Sequence, residues 1–249
     1  MLRSINQLKG AAIDATDGDI GKVRDFYFDD EQWVVRFLVV ETGSWLFSRK
    51  VLLTPGALRK PATGSQAFAT DLSREQVEKS PEIDTQRPVS RQHEQMLLAY
   101  YGYPNYWAGD ITGGLGMAPG RVDGYLTRVI NSEVEQRHDR NDDEHLRSCR
   151  EVEGYHIDAA DGEIGHVEDV LVDENWAIRY LVVNTRNWWF GHMALIAPQW
   201  IDGIAWASAT VSVALTRETI RQAPQYDPSR APDAAFERQL ADYYQQHRA

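Results

Sequence analysis

The residues best equipped for chemistry in this chain are few, and their spacing decides against most reactions. Asp14, Asp17 and Asp19 fall in one short stretch and return as Asp158, Asp161 and Glu163, which invites a calcium loop. Neither copy has the run of oxygen ligands closed by a bidentate Glu that such a loop needs, so both read as Asp-Gly hairpin turns. His138, His145 and Cys149, beside Asp139, Asp142 and Asp143, lack the second Cys or His pair that would close a zinc tetrahedron. His156, His166 and His192 stand where a matching earlier stretch carries Ala12, Lys22 and Arg49, which marks polar exposed positions rather than a catalytic base. No Gly-x-Ser-x-Gly elbow, phosphate loop or nucleophile beside a base occurs. No catalytic residue, metal ligand or cofactor is therefore assigned.

What remains is aromatic. Ser44-Trp45-Leu46-Phe47 and Asn187-Trp188-Trp189-Phe190 put large apolar side chains between strand-like stretches, where a hairpin turn would favour polar residues. Either these loops fill a barrel end and an interface between repeats, or they offer an anchor to another protein, since Trp is enriched among binding hot spots. The candidate partner or inter-barrel contacts are Trp45, Phe47, Trp188, Trp189, Phe190 and His192.

These loops belong to a chain that is written twice. Leu2-Arg3-Ser4 returns as Leu146-Arg147-Ser148, Gly10 to Gly21 returns as Gly154 to Gly165, and the match runs through Trp33/Trp176, Arg36/Arg179, Pro55/Pro198 and Arg74-Glu75/Arg217-Glu218 to Tyr100-Tyr101/Tyr243-Tyr244. Roughly thirty identities at so long a period mean two whole domains rather than solenoid repeats. The expected division is residues 1–103, a linker over 104–145 that is rich in Gly and Pro and then charged, and residues 146–249. Within the linker, Val122, Tyr125, Leu126, Val129 and Ile130 have helical spacing and predict a partly ordered arm.

Each copy reads as short strands and then helices. Strands are predicted over 11–15, 21–29, 33–42, 49–54 and 66–72, which are rich in β-branched and aromatic residues. Phe37-Leu38-Val39-Val40 does not alternate, as expected of a strand covered on both faces. Five short strands in so short a stretch favour a small closed barrel, because closure removes exposed edges. Helices are predicted after Ser73 and Thr216 and over Ser90–Tyr101 and Asp233–Gln246, with apolar stripes that serve as core. The fold class is thus mainly β with short helices: two small barrels related by duplication, each followed by a helix. Arg36 and Arg179 interrupt apolar strands at one register, so each is expected to reach the surface beside an aromatic or to bind a carboxylate such as Asp25 or Asp169.

The net charge of −11 over 249 residues is uneven. The stretch 1–103 is nearly neutral, whereas the later half is acidic, with Glu151, Glu153, Glu163, Glu168, Asp169, Asp173 and Glu174 close together. Such a surface repels phosphate backbones and anionic lipid, so no direct nucleic-acid partner and no membrane insertion are expected, and a basic protein partner suits the second copy. No run reaches the length of a membrane span and residues 1–10 lack the apolar stretch of a signal peptide, so the expected compartment is the cytoplasm. Cys149, the one cysteine, stands at the position of Ile5 and is expected to be a small buried apolar residue.

The pattern Asp-Gly-x-Ile-Gly-x-Val-x-Asp, then Trp-x-x-Arg-x-Leu-Val-Val-x-Thr, then a Trp-bearing loop and Leu-x-x-Pro resembles the PRC-barrel family. The matching residues are Asp17, Gly18, Ile20, Gly21, Val23, Asp25, Trp33, Arg36, Val39, Val40, Thr42, Trp45, Leu52 and Pro55, and each has a counterpart in the second copy from Asp161 to Pro198. The family includes the cytoplasmic domain of the photosynthetic reaction-centre H subunit and the C-terminal barrel of ribosome maturation factor M proteins. The resemblance is closest to bacterial tandem PRC-barrel proteins and implies an assembly module. It implies neither photosynthesis nor ribosome maturation, since the membrane helix and the RNA-processing partner domain of those relatives have no match here. The expected function is a non-catalytic protein-interaction or scaffold module, with homo-oligomers compatible. The alternative is a small-ligand-binding protein or enzyme with its site at the interface between the barrels, involving His192, Trp188 and Trp189.

Overall fold

The Asp-Gly turns organise each sheet. The structure, a computed structural model, describes residues 1–43, 49–59, 67–81, 89–103, 144–185 and 192–247. The chain opens with β1 (Arg3–Ser4) and a one-turn α1 (Ile5–Leu8) whose N-cap is Ser4. The turn at Asp17-Gly18 then joins β2 (Ala12–Ala15) to β3 (Gly18–Asp29), as an Asp-Gly pair predicts. β4 (Val34–Thr42), β5 (Arg49–Leu53), β6 (Leu58–Arg59) and β7 (Phe68–Thr70) complete a sheet in the order β5-β4-β3-β2-β7-β6. α2 (Arg74–Glu78) follows, opened by a full capping box between Ser73 and Gln76, and then β8 (Val89–Ser90) and α3 (Arg91–Tyr101).

The second copy repeats these elements apart from β8. They are β9 (Glu144–Ser148), α4 (Cys149–Val152), β10 (His156–Ala159), β11 (Gly162–Val172), β12 (Ile178–Asn184), β13 (Met193–Ile196), β14 (Ile201–Ala205), β15 (Thr210–Val213), α5 (Arg217–Gln222) and α6 (Ala234–Gln246). Their sheet order, β13-β12-β11-β10-β15-β14, is that of the first sheet position for position, including the parallel pair between the first and last strands of the set. The fold is mainly β with short helices, as the residue pattern predicts. Val35, Phe37, Leu38, Val39 and Val40 are all buried, which is the two-sided cover that an unalternating strand implies. Cys149 and Ile5 are both fully buried, so the cysteine does stand in for an apolar residue.

A glycine in each copy lets the backbone of a neighbouring strand come close. Gly21 and Gly165 have φ of 150° and 155°, and a Cβ there would lie 2.0 Å from the Glu41 carbonyl oxygen and 2.2 Å from that of Asn184. No side chain can resolve such a contact, because the obstacle is backbone.

The compact units do not follow the expected boundaries. One unit comprises Met1–Gly10, Gln32–Val35 and Ser148–Ala249, and the other comprises Ala11–Glu31 and Arg36–Arg147. In the first of these, β1 adds to β11 with Arg3 opposite Val172 and Ser4 opposite Leu171. In the other, β9 adds to β3. The opening segment of each copy thus completes the sheet of the other copy, a trade that contiguous domains over 1–103 and 146–249 do not include. A second exchange carries the turn before β4. Trp33 and Trp176 both have left-handed φ, 56° and 64°, a backbone state that costs an L-residue roughly 1–2 kcal/mol. They hold it while the Val35 amide donates to the Trp176 carbonyl at 2.9 Å and the Ile178 amide donates to the Trp33 carbonyl at 2.7 Å, on either side of a Val34–Ala177 bridge.

Gly21→Ala and Gly165→Ala should each destabilise the protein by about 2 kcal/mol or more, since the backbone must move to admit the methyl. Gly203→Ala, with nothing within 4 Å of its Cβ position, should stay within ~0.5 kcal/mol of the parent. Thermal denaturation of the three variants checks this.

Candidate functional site

The aromatic loops spring from strand ends that are fixed in the same way in both copies. Trp45 and Phe47 in one loop, and Trp188, Trp189 and Phe190 in the other, lie outside the described residues. Their flanks are described. Thr42 pairs with Arg49 across β4 and β5, and its hydroxyl donates to the Arg49 carbonyl at 3.2 Å. After β12, the Thr185 hydroxyl and amide both donate to the His192 carbonyl, at 2.9 and 3.0 Å.

The side chains that leave these loops then reach to a helix end. The Arg49 guanidinium donates to the Glu78 carbonyl and, at 2.5 Å, to that of Ser80, which closes α2. His192 Nε2 lies 3.1 Å from the carbonyl of Ala223, the equivalent residue after α5. A carbonyl only accepts, so Nε2 carries the hydrogen and this nitrogen is not available as a base. His192 therefore replaces Arg49 as a loop anchor. The sequence reading of the Arg-to-His change as one of exposed polar positions misses this link, and its signal is that Ser80 and Ala223, each before a proline, also correspond. Two tyrosines reinforce the same corner: Tyr100 donates to the Gln76 carbonyl at 2.8 Å and Tyr243 to that of Thr219 at 2.9 Å.

The acidic candidates divide between internal and outward work. Asp17 and Asp161 accept the first amides of α2 and α5, from Arg74 at 2.8 Å and from Arg217 at 2.7 Å, and this backbone bond holds the Asp161 carboxyl below its ordinary range. They are turn and helix-cap residues, as the hairpin reading expects. Among the described residues no group of three or more His, Cys, Asp or Glu could hold a metal. His138 and the side chain of His145 lie outside the described residues. His156 pairs with Glu163 at 2.9 Å and His166 with Glu168 at 3.4 Å, both near the surface.

Arg36 finds a carboxylate in Asp29 at 3.6 Å, with that carboxylate only 1% exposed. Arg179 is exposed. Asp169 is not its partner. Asp169 accepts the Ser4 hydroxyl and, at 3.1 Å, the Asn6 amide, besides the Val170 amide at 2.8 Å, so the residue expected to neutralise an arginine instead seats the exchanged segment. Lys9 pairs with Glu153 in the same seat. Of the acidic cluster, Glu151, Glu163, Glu168 and Glu174 remain exposed. Among the described residues no helix is long and apolar enough to cross a membrane.

The chain carries a PRC-barrel domain: the PRC-barrel domain family matches residues 3–64. Those residues are contiguous in sequence but fall in both compact units, since 3–10 and 32–35 belong with Ser148–Ala249. No curated protein matches the chain. A PRC-barrel domain is compatible with a non-catalytic module.

Two outcomes follow from this chemistry. His192→Ala and Arg49→Ala should each cost about 1 kcal/mol and speed amide exchange at Thr185 and at Lys50–Val51 respectively, as read by hydrogen exchange. Burial raises the Asp169 pKa above its ordinary range despite the donors that oppose it. The folded state then binds this proton more tightly than the unfolded chain, so stability falls as pH climbs through the acid range just above ~4. Asp169→Asn should flatten that slope in urea denaturation at a series of pH values.

Proposed function

We propose that this protein is a tandem PRC-barrel interaction module that binds another protein through its two aromatic loops. The observation that carries the reading is the matched anchoring of both loops: Thr42 and Arg49 in one copy, Thr185 and His192 in the other, tie each loop base to a helix end. A frame fixed on both sides lowers the ordering cost of presenting Trp45 and Phe47, or Trp188, Trp189 and Phe190, to a partner. His192 serves as support and not as a contact. The partner is basic and engages the second copy, where Glu151, Glu163, Glu168 and Glu174 are exposed; nucleic acid is not a ligand. The same reading takes the protein as cytoplasmic, in keeping with a single cysteine, the buried Cys149.

The test uses the full chain as bait in extract of its native host, followed by measured affinity for the protein it captures. Trp45→Ala/Phe47→Ala and Trp188→Ala/Trp189→Ala variants should melt like the parent, and at least the second should weaken binding tenfold or more, about 1.4 kcal/mol. Binding should also weaken as salt rises. Affinity unchanged in both loop variants, or micromolar binding of duplex DNA at physiological salt, would sink the reading.

A further inference from the structure

The seat on β11 is built for a short peptide, and the chain contains that peptide as its own residues 2–9. The contacts are specific and local. Two strand pairs join Arg3 and Ser4 to Val172 and Leu171. The Ser4 hydroxyl and the Asn6 amide converge on the two oxygens of Asp169, the Asn6 side chain donates to the Glu168 carbonyl at 3.1 Å, and Lys9 meets Glu153. Ile5 and Leu8 are buried. Gly10 follows with a left-handed φ of 83° and open space about its Cβ position.

The same trade occurs in reverse within the other unit, where β9, which ends in the second Leu-Arg-Ser, adds to β3. Ser4 and Ser148 each cap the helix that follows, by accepting the Gln7 and Glu151 amides at 3.1 and 3.0 Å. One chain therefore does with its two copies what two chains would do by exchanging opening segments, and exchange of an identical element is a low-cost route to dimers.

We propose that residues 1–10 also seat in trans, on β11 of a second copy of this chain, giving a segment-exchanged homodimer in which Ser4 of one chain meets Asp169 of the other. The contacts made in trans are those made in cis, so the balance is set by protein concentration and by the strain of the Gly10 link rather than by a new interface. The occupant is a second copy because the seat reads a sequence that this chain supplies.

The test traps the exchange by cysteine pairs in full-length chains whose natural thiol is removed by Cys149→Ala. A chain carrying both Ser4→Cys and Asp169→Cys should cross-link to itself under oxidising conditions and stay monomeric at low concentration. A mixture of chains carrying only Ser4→Cys with chains carrying only Asp169→Cys, held at high concentration, should yield a covalent dimer, and neither chain alone should. Cross-linking in the double variant without any dimer from the mixture would overturn the proposal. If the Asp169 variant does not fold, Lys9→Cys with Glu153→Cys reads the same seat. The unmodified protein supplies a further measure: sedimentation should show a dimer fraction that grows with concentration, and a strict monomer at millimolar protein would also overturn it.

Discussion

The carboxylate of Asp169 is the point on which one of the two units depends. It sits on β11, largely withdrawn from water, and its oxygens are met by a hydroxyl and an amide from a segment more than 150 residues earlier in sequence. A buried carboxylate short of donors would be costly, and beyond the adjacent Val170 amide the donors come from residues 1–10. The opening segment is therefore not an appendage of the copy that encodes it. It supplies polar and apolar contacts at once, since Ile5 and Leu8 of the same segment are buried.

Around that constraint the two copies solve equal problems with partly different chemistry. Asp17 and Asp161 perform one task with one residue type. Arg49 and His192 perform another with two types, a forked cation in one copy and a single ring nitrogen in the other, and both end on the carbonyl that closes the short helix. Arg36 and Arg179 differ more deeply. Arg36 is held against a nearly inaccessible Asp29, whereas Arg179 is exposed, so the same strand position is a charged element of the interior in one copy and a solvated side chain in the other. Identity of residue is thus no guide to identity of role, even within one molecule.

Much of this was legible in the residues. The Asp-Gly turns, the capping serine and threonine before the short helices, and the unbroken apolar run from Phe37 to Val40 each dictate a local conformation that the structure adopts. The doubling of the chain predicts two sheets of one order, and the loops marked by Trp45 and Trp188 do have matched anchors. What the residues concealed was the exchange, because strand additions of two residues and a bridge between two turns leave no periodicity to detect. A repeat also suggests domains cut at its own boundaries, and nothing in local propensity contradicts that cut. The destination of Asp169 was hidden for the same reason, since its donors are a serine and a backbone amide that any surface segment might carry.

The route of the chain through the units has a consequence for synthesis. Residues 1–10 leave the ribosome about 160 residues before the strand that receives them, which ends at Val172, is complete, and at ~5–20 residues per second that is roughly eight to thirty seconds. Through that interval Leu2, Ile5 and Leu8 have no core to enter, and the sheet that begins with β2 and β3 waits in turn for β9. The nascent protein thus carries a pair of unmet obligations across the longest stretch of its sequence, and neither half can settle before the other has arrived.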